Sequence, residues 1–198
     1  MTLNSYLSVT LNVNGLNDPI KKHRVSDWIK KQDPPICCLQ EIHLEPKDTY
    51  SLKMKGWRTI YHLNGPQKKV LVAILISDTL KFIPKTVVRD EEGHCIILKG
   101  SIQLEDITIM NIYAPNVGAA KYINQLITKV KTYLDNNTLI LGDFNTVLSA
   151  NDRYSKQNIT KETRAFSDAL DQINFWNVTE HSIQMQHTSP VHMELSPE

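Results

Sequence analysis

The sequence predicts a layered α/β domain, with helices covering β-sheets. Three observations predict it. Apolar runs of strand length outnumber helical stripes, the helical stripes are interleaved among them, and no internal repeat or Gly/Ser-rich linker divides the 198 residues. That length suits one domain with a real core.

The elements follow in order. In "YLSVTLNVNG" the residues Leu7, Val9, Leu11 and Val13 fall on one face of a strand, and Ser8, Thr10, Asn12 and Asn14 on the other. "HRVSDWIKKQ" changes period, with Val25, Trp28 and Ile29 as a short helical stripe that Pro34-Pro35 ends. "ICCLQE" is a compact buried strand ending at Gln40-Glu41, and "VLVAILIS" at 70–77 is another. "CIILKGSIQ" and "ITIMNIYAP" form a hairpin through Leu104-Glu105-Asp106. "AKYINQLITKVKTYL" is the best helix, with Ile123, Leu126, Ile127, Val130 and Leu134 on one face. "TLILGDFNTVLS" (138–149) supplies a strand, a loop passes through Arg153, and a second helix sets Phe166, Ala169, Leu170 and Ile173 in register. The domain spans 5–178; the tail at 179–198 has no period, three histidines (His181, His187, His192) and two prolines.

Composition narrows the class. Hydrophobic residues make up 41% and charged residues 22%, ordinary for a soluble globular protein, and no run reaches membrane-spanning length. The net charge of +1 neither demands a polyanionic partner nor excludes one. The clusters at 21–24, 30–31 and 67–69 are expected to be solvated surface. Three cysteines, Cys37, Cys38 and Cys95, give no disulfide framework and point to a reducing compartment, nuclear or cytoplasmic and not secreted. Cys37 and Cys38 should face opposite sides of a strand as small buried hydrophobes. The start "MTLNSYLSV" lacks a signal-peptide layout, so the sequons at Asn158 and Asn177 carry no weight.

Four strands end in polar groups: Asn12 and Asn14, then "LQE", "NIYAPN" and "GDFN". Singly, each has an ordinary explanation, since Asn and Asp form turns and a tyrosine before Ala-Pro is usually core with a wet hydroxyl. Together they place amides, carboxylates and a phenol at fixed points of a rigid sheet. Hard oxygen donors suit Mg²⁺ rather than zinc, and amides and phenols suit the charge of a phosphate in flight.

"LNVNGLN", "LQEIHL", "NIYAPN" and "LILGDFN", in this order and spacing, resemble the endonuclease/exonuclease/phosphatase superfamily, which includes DNase I, exonuclease III and the apurinic/apyrimidinic endonucleases. "IKKHRVSDWIKKQDPPICCLQEIHL", "MKGWRTIYHLNG" and "VVRDEEGHCIILKGSIQ" look like the endonuclease domain of mammalian LINE-type non-LTR retrotransposon proteins. The resemblance implies a four-layer α/β sandwich of the DNase I type, expected here to be incomplete at the C-terminus and to lack its last strands. It implies that Glu41 binds magnesium (or manganese in its place) with Asn12 beside it. It implies that Asp143 orients and deprotonates water, that Asn145 helps hold a phosphate oxygen, and that Tyr113 faces the scissile phosphate. The implied partner is DNA, with no membrane. The implied reaction is Mg²⁺-dependent hydrolysis of a DNA strand to a 3′-hydroxyl and a 5′-phosphate, a nick that in retrotransposons primes reverse transcription.

The sequence also departs from that pattern. The family's late motifs, "T-F-F-S", "I-D-H" and "S-D-H", do not occur, and the tail histidines are not assigned their role. Ile42 stands where relatives usually carry Thr, and Leu71 where they carry Gly, which should strain a close-packed backbone. Back-translating 178–184 and 191–198 and reading one frame over permits the family's expected residues, so the tail is expected to be out-of-frame sequence. The expected alternative to an active nuclease is a catalytically inactive retroelement remnant without the C-terminal Asp-His pair, or a scaffold on the same fold.

Overall fold

A computed structural model of the protein describes residues 8–64 and 69–145. Leu7, the helix expected around Phe166–Ile173 and the tail lie outside the described residues. Among the described residues eight strands and two α-helices follow one another as β1 (Ser8–Asn12), α1 (Pro19–Gln32), β2 (Ile36–Leu44), β3 (Thr59–Asn64), β4 (Val70–Ile76), β5 (Phe82–Arg89), β6 (Cys95–Ile102), β7 (Glu105–Tyr113), α2 (Ala119–Val130) and β8 (Thr138–Asp143).

Two mixed sheets result, ordered β1-β2-β4-β3 and β5-β6-β7-β8. Each has one parallel pair at an end, β1 with β2 and β7 with β8, and antiparallel pairs elsewhere. The layers follow from strand parity. Ile36, Cys38, Ile74 and Ile76 of the first sheet meet Ile96, Leu98, Ile109, Leu139 and Leu141 of the second in the central core. The opposite parity of the first sheet, Cys37, Leu39, Ala73 and Leu75, packs on Val25 and Ile29 of α1. In the second sheet Cys95, Ile97, Met110, Ile112 and Ile140 pack on Ile123, Leu126, Ile127 and Val130 of α2. The order α/β/β/α is the expected four-layer sandwich. Cys37 and Cys38 are both fully buried, on opposite faces, as their adjacency required. Among the described residues no helix is long and apolar enough to cross a membrane.

Several boundaries differ from the sequence reading for local reasons. Helix α1 starts a turn early, because Asp18 accepts a hydrogen bond from Ile20 N and Pro19 occupies the first turn. Trp28 is 37% exposed, since α1 buries only Ile29 fully, with Val25 one turn before it. The hairpin turns at Gln103-Leu104, both at positive φ, and not at 104–106. Strands β3 and β5 had no counterpart in the sequence reading; β5 contains Pro84 and is largely exposed, so it lacks an alternating pattern.

Strand β2 does not stop at Glu41. It runs on to Leu44 through an irregularity in which Gln40 pairs with Val72 and Leu44 with Val70, so that residues 41–43 oppose Leu71 alone. Leu71 has no positive φ and lays its side chain against the central core, so the expected strain is absent. Ile42 is fully buried in the α1-side core, which accommodates an apolar residue at this position.

Candidate active site

The carboxyl ends of the two parallel pairs face each other across the sandwich. Asn12 ends β1, Glu41 lies at the irregularity within β2, and Tyr113 and Asp143 end β7 and β8. Open α/β sheets favour this location, outside the carboxyl ends of parallel strands.

Two turns of the same design close the pairs. In Asn12-Val13-Asn14 the Asn12 Oδ1 accepts from Asn14 N at 2.9 Å; in Asp143-Phe144-Asn145 the Asp143 Oδ1 accepts from Asn145 N at 3.0 Å. These are Asx turns, in which a short polar side chain imitates the backbone. Asn14 and Asn145 both adopt positive φ, at 43° and 45°, which Asn tolerates better than most residues. The middle residues, Val13 and Phe144, bury outward into the α1-side and α2-side cores respectively. Each turn is thus nailed down by an apolar residue while its polar first residue faces the cleft.

Gly142 makes the second turn possible. Its φ is 144°, and a Cβ there would lie 1.9 Å from the Ile112 carbonyl oxygen. The strand must carry glycine so that β8 can press against β7 at the step before Asp143. Ala114 then latches the turn from the end of β7: its N donates to the Asp143 carbonyl at 2.8 Å, and its carbonyl accepts from Asn145 Nδ2 at 2.7 Å.

The five residues named from sequence come together. Asn12 Nδ2 donates to Glu41 Oε1 at 3.0 Å and to Asp143 Oδ2 at 2.7 Å, one amide tying carboxylates from opposite sheets. Asn145 is bound to Asp143 as described. Tyr113 lies beside Glu41: burial first, then the hydrogen bond and charge of Glu41, then the charge of Asp143, push its phenol well above the ordinary range. The phenol therefore stays protonated and serves as a donor. Asn12 presents its nitrogen to the two carboxylates, while its oxygen accepts from Asn14 N.

Glu41 itself is held in an unusual pose, with φ of 53°, and His43 follows at 57°. The loop after β1 stabilises this stretch: Val13, Gly15 and Leu16 donate their N–H groups to the carbonyls of Gln40, Glu41 and Ile42 at 2.9, 2.6 and 2.9 Å. A normal strand would have turned Glu41 toward the α1-side core. The irregularity aims it at the cleft, where its side chain is 17% exposed, with His43 Nε2 3.9 Å from Oε2.

Sequence reasoning missed what lies behind the site. Gln40 and Asn111 are buried at 1% and 0% exposure. Asn111 Oδ1 accepts from Gln40 Nε2 at 2.6 Å, and its Nδ2 donates to the carbonyls of Leu39 and Ala73 at 3.0 and 2.9 Å. Gln40 Nε2 also reaches Thr10 Oγ1 at 3.0 Å. A side chain of the second sheet is thus pinned into the first. The available signal was a lone amide inside "ITIMNIY", at the inward parity of a strand otherwise apolar there.

The donor set fits a hard divalent cation. Among the described residues no three His, Cys, Asp or Glu side chains cluster as a metal cage. Two carboxylates without soft ligands instead match Mg²⁺, which keeps several waters and takes only one or two protein carboxylates.

The profile of the Endonuclease/Exonuclease/phosphatase family matches residues 9–189. The chain belongs to this family. Its fold recurs in solved relatives. The endonuclease domain of TRAS1, a telomere-specific non-LTR retrotransposon, superposes with a TM-score of 0.61 at 14% identity, over 83% of this chain and 71% of that one. An AP endonuclease from Archaeoglobus fulgidus gives 0.64 at 18%, over 83% and 69%. The Xenopus laevis APE2 catalytic domain gives 0.61 at 19%, over 83% and 66%. At these identities the similarity is one of fold.

Proposed function

We propose that the cleft hydrolyses a phosphodiester bond of DNA with a divalent cation, Mg²⁺ or Mn²⁺, releasing a 3′-hydroxyl. The observation that carries this reading is the single Asn12 amide bridging Glu41 and Asp143 from opposite sheets, with the Tyr113 phenol beside Glu41. Membership of the family and the fold shared with endonucleases support the reaction class.

The roles follow from the donors. Glu41 holds the cation, which when bound supplies charge stabilisation at a phosphate oxygen. Asp143 takes the proton of the attacking water; two hydrogen bonds, from Asn12 and Asn145, fix its carboxylate for that transfer. Water oxygen bonds to phosphorus as the bond to the 3′ oxygen breaks, and the leaving 3′ oxygen takes a proton from solvent to become the hydroxyl. Tyr113, protonated throughout, donates toward the phosphate, and Asn145 offers the amide hydrogen that Ala114 does not use. Asn12 keeps the two carboxylates in one place.

The test uses the full chain, supercoiled plasmid and Mg²⁺, with nicked circles read on a gel and 3′ ends read by polymerase extension. Glu41→Ala and Asp143→Ala are each expected to lower nicking by about 10²-fold or more. Nicking that persists in the double variant overturns the assignment. A wild-type chain that does not nick overturns the activity and leaves the inactive-remnant reading in its place.

A further inference from the structure

We propose that His94 is a positioning residue that sets the pose of the Tyr113 ring in the cleft. The proposal rests on the reading of this cleft as a phosphodiesterase site.

His94 sits in the turn between β5 and β6, closed by Gly93 N donating to Asp90 O at 3.2 Å and Asp90 N donating to Cys95 O at 2.9 Å. It holds Tyr113 in three ways. Its carbonyl accepts from Tyr113 N at 2.8 Å, extending the β6–β7 ladder by one rung beyond Cys95 and Ile112. Its Nδ1 lies 2.8 Å from the Tyr113 carbonyl. Its ring stacks on the phenol ring, with centroids 5.6 Å apart and planes 24° apart.

A carbonyl can only accept, so Nδ1 carries the proton. The contact therefore exists in both the neutral and the charged imidazole. The His94 ring has a second aromatic neighbour. Tyr122 of α2 meets it edge-on at 5.5 Å and 61°, and the Tyr122 hydroxyl donates to Asp90 Oδ2 at 3.2 Å. The turn, the helix and the end of β7 thus form one closed packing unit around the imidazole. Tyr113 is half-buried at the rim of the cleft, where a phenol with two rotatable bonds would otherwise sample several directions. The His94 side chain meets Tyr113 and Tyr122, and of these Tyr113 lines the cleft, so the influence of His94 on the site passes through Tyr113.

The test has a spectroscopic arm and a kinetic arm. Tyrosine is labelled with ¹³C in the ring, and the Tyr113 signal is assigned with Tyr113→Phe. In His94→Ala the Tyr113 ring signal is expected to shift and broaden, while Tyr61 and Tyr133, on other elements, keep theirs. His94→Phe fills the same space and keeps the stack without the hydrogen bond; His94→Asn keeps a donor without the ring. Each is expected to move the Tyr113 signal less than alanine does. In plasmid nicking, His94→Ala should lower kcat by about 10-fold with KM unchanged, and His94→Asn should recover part of it. A Tyr113 signal in His94→Ala, or in His94→Phe should alanine fail to fold, identical to wild type overturns the proposal. The spectroscopic arm decides this even if the wild-type chain does not nick, so failure of the proposed activity is told apart from failure of the His94 role.

Discussion

Asn111→Leu removes the pin between the sheets while keeping the branched shape of the side chain. The amide makes three buried hydrogen bonds, to Gln40, Leu39 and Ala73. At a net value of about 1 kcal/mol each, their loss costs about 3 kcal/mol. Gln40 keeps Thr10 as a partner, which holds its share near that figure. The domain has a margin of only about 5–15 kcal/mol. With a urea slope of about 1–3 kcal/mol per molar, the unfolding midpoint should fall by about 1–3 M. Fluorescence of Trp57, buried with its indole N–H donating to the Pro34 carbonyl, reports the transition. Gln40→Leu on the Asn111→Leu background should cost less than it does alone, because the two amides are partners. A midpoint within about 0.3 M of wild type would refute the pin, since even one lost bond of about 1 kcal/mol should move it further.

Gly142→Ala should destabilise by about 3 kcal/mol or more, because its Cβ meets Ile112 backbone that cannot yield; Gly56→Ala, also at positive φ but with nothing within 4 Å, should cost only about 1 kcal/mol in the same urea titration. Burial pushes the Cys37 thiol up to about 12 and raises Cys38 and Cys95 as well, so a thiol reagent at pH 8 should leave the native protein unlabelled and modify all three cysteines after denaturation. The Tyr113 and Tyr122 phenols are raised by burial first and then by carboxylates, Glu41 for the former and Asp90 for the latter. The stability contributed by keeping them neutral is whole below about pH 10 and is lost as pH climbs beyond it. Absorbance titration at alkaline pH should show both ionising late or only with unfolding, and ordinary ionisation of every tyrosine near pH 10 would contradict that.

By itself the sequence determined which side chains could do chemistry and roughly where the strands carrying them run. "LILGDFN" and "LNVNG" each encode a strand, a break and a polar turn within a few residues, and such local rules act without knowledge of the partner strand. The two helix stripes and the split fate of Cys37 and Cys38 are legible for the same reason, since period and parity are local. The edge strand β5 was not legible, because an exposed strand with Pro84 carries no burial pattern. Nor could one chain direction reveal that Glu41 turns inward through an irregularity held by the loop after β1, or that Asn111 is pinned into the opposite sheet. Only the tertiary structure decided that Asn12, from one sheet, donates to Asp143, 131 residues away on the other. Convergence of that kind depends on how two sheets stack, a property of all their side chains together and of no single stretch.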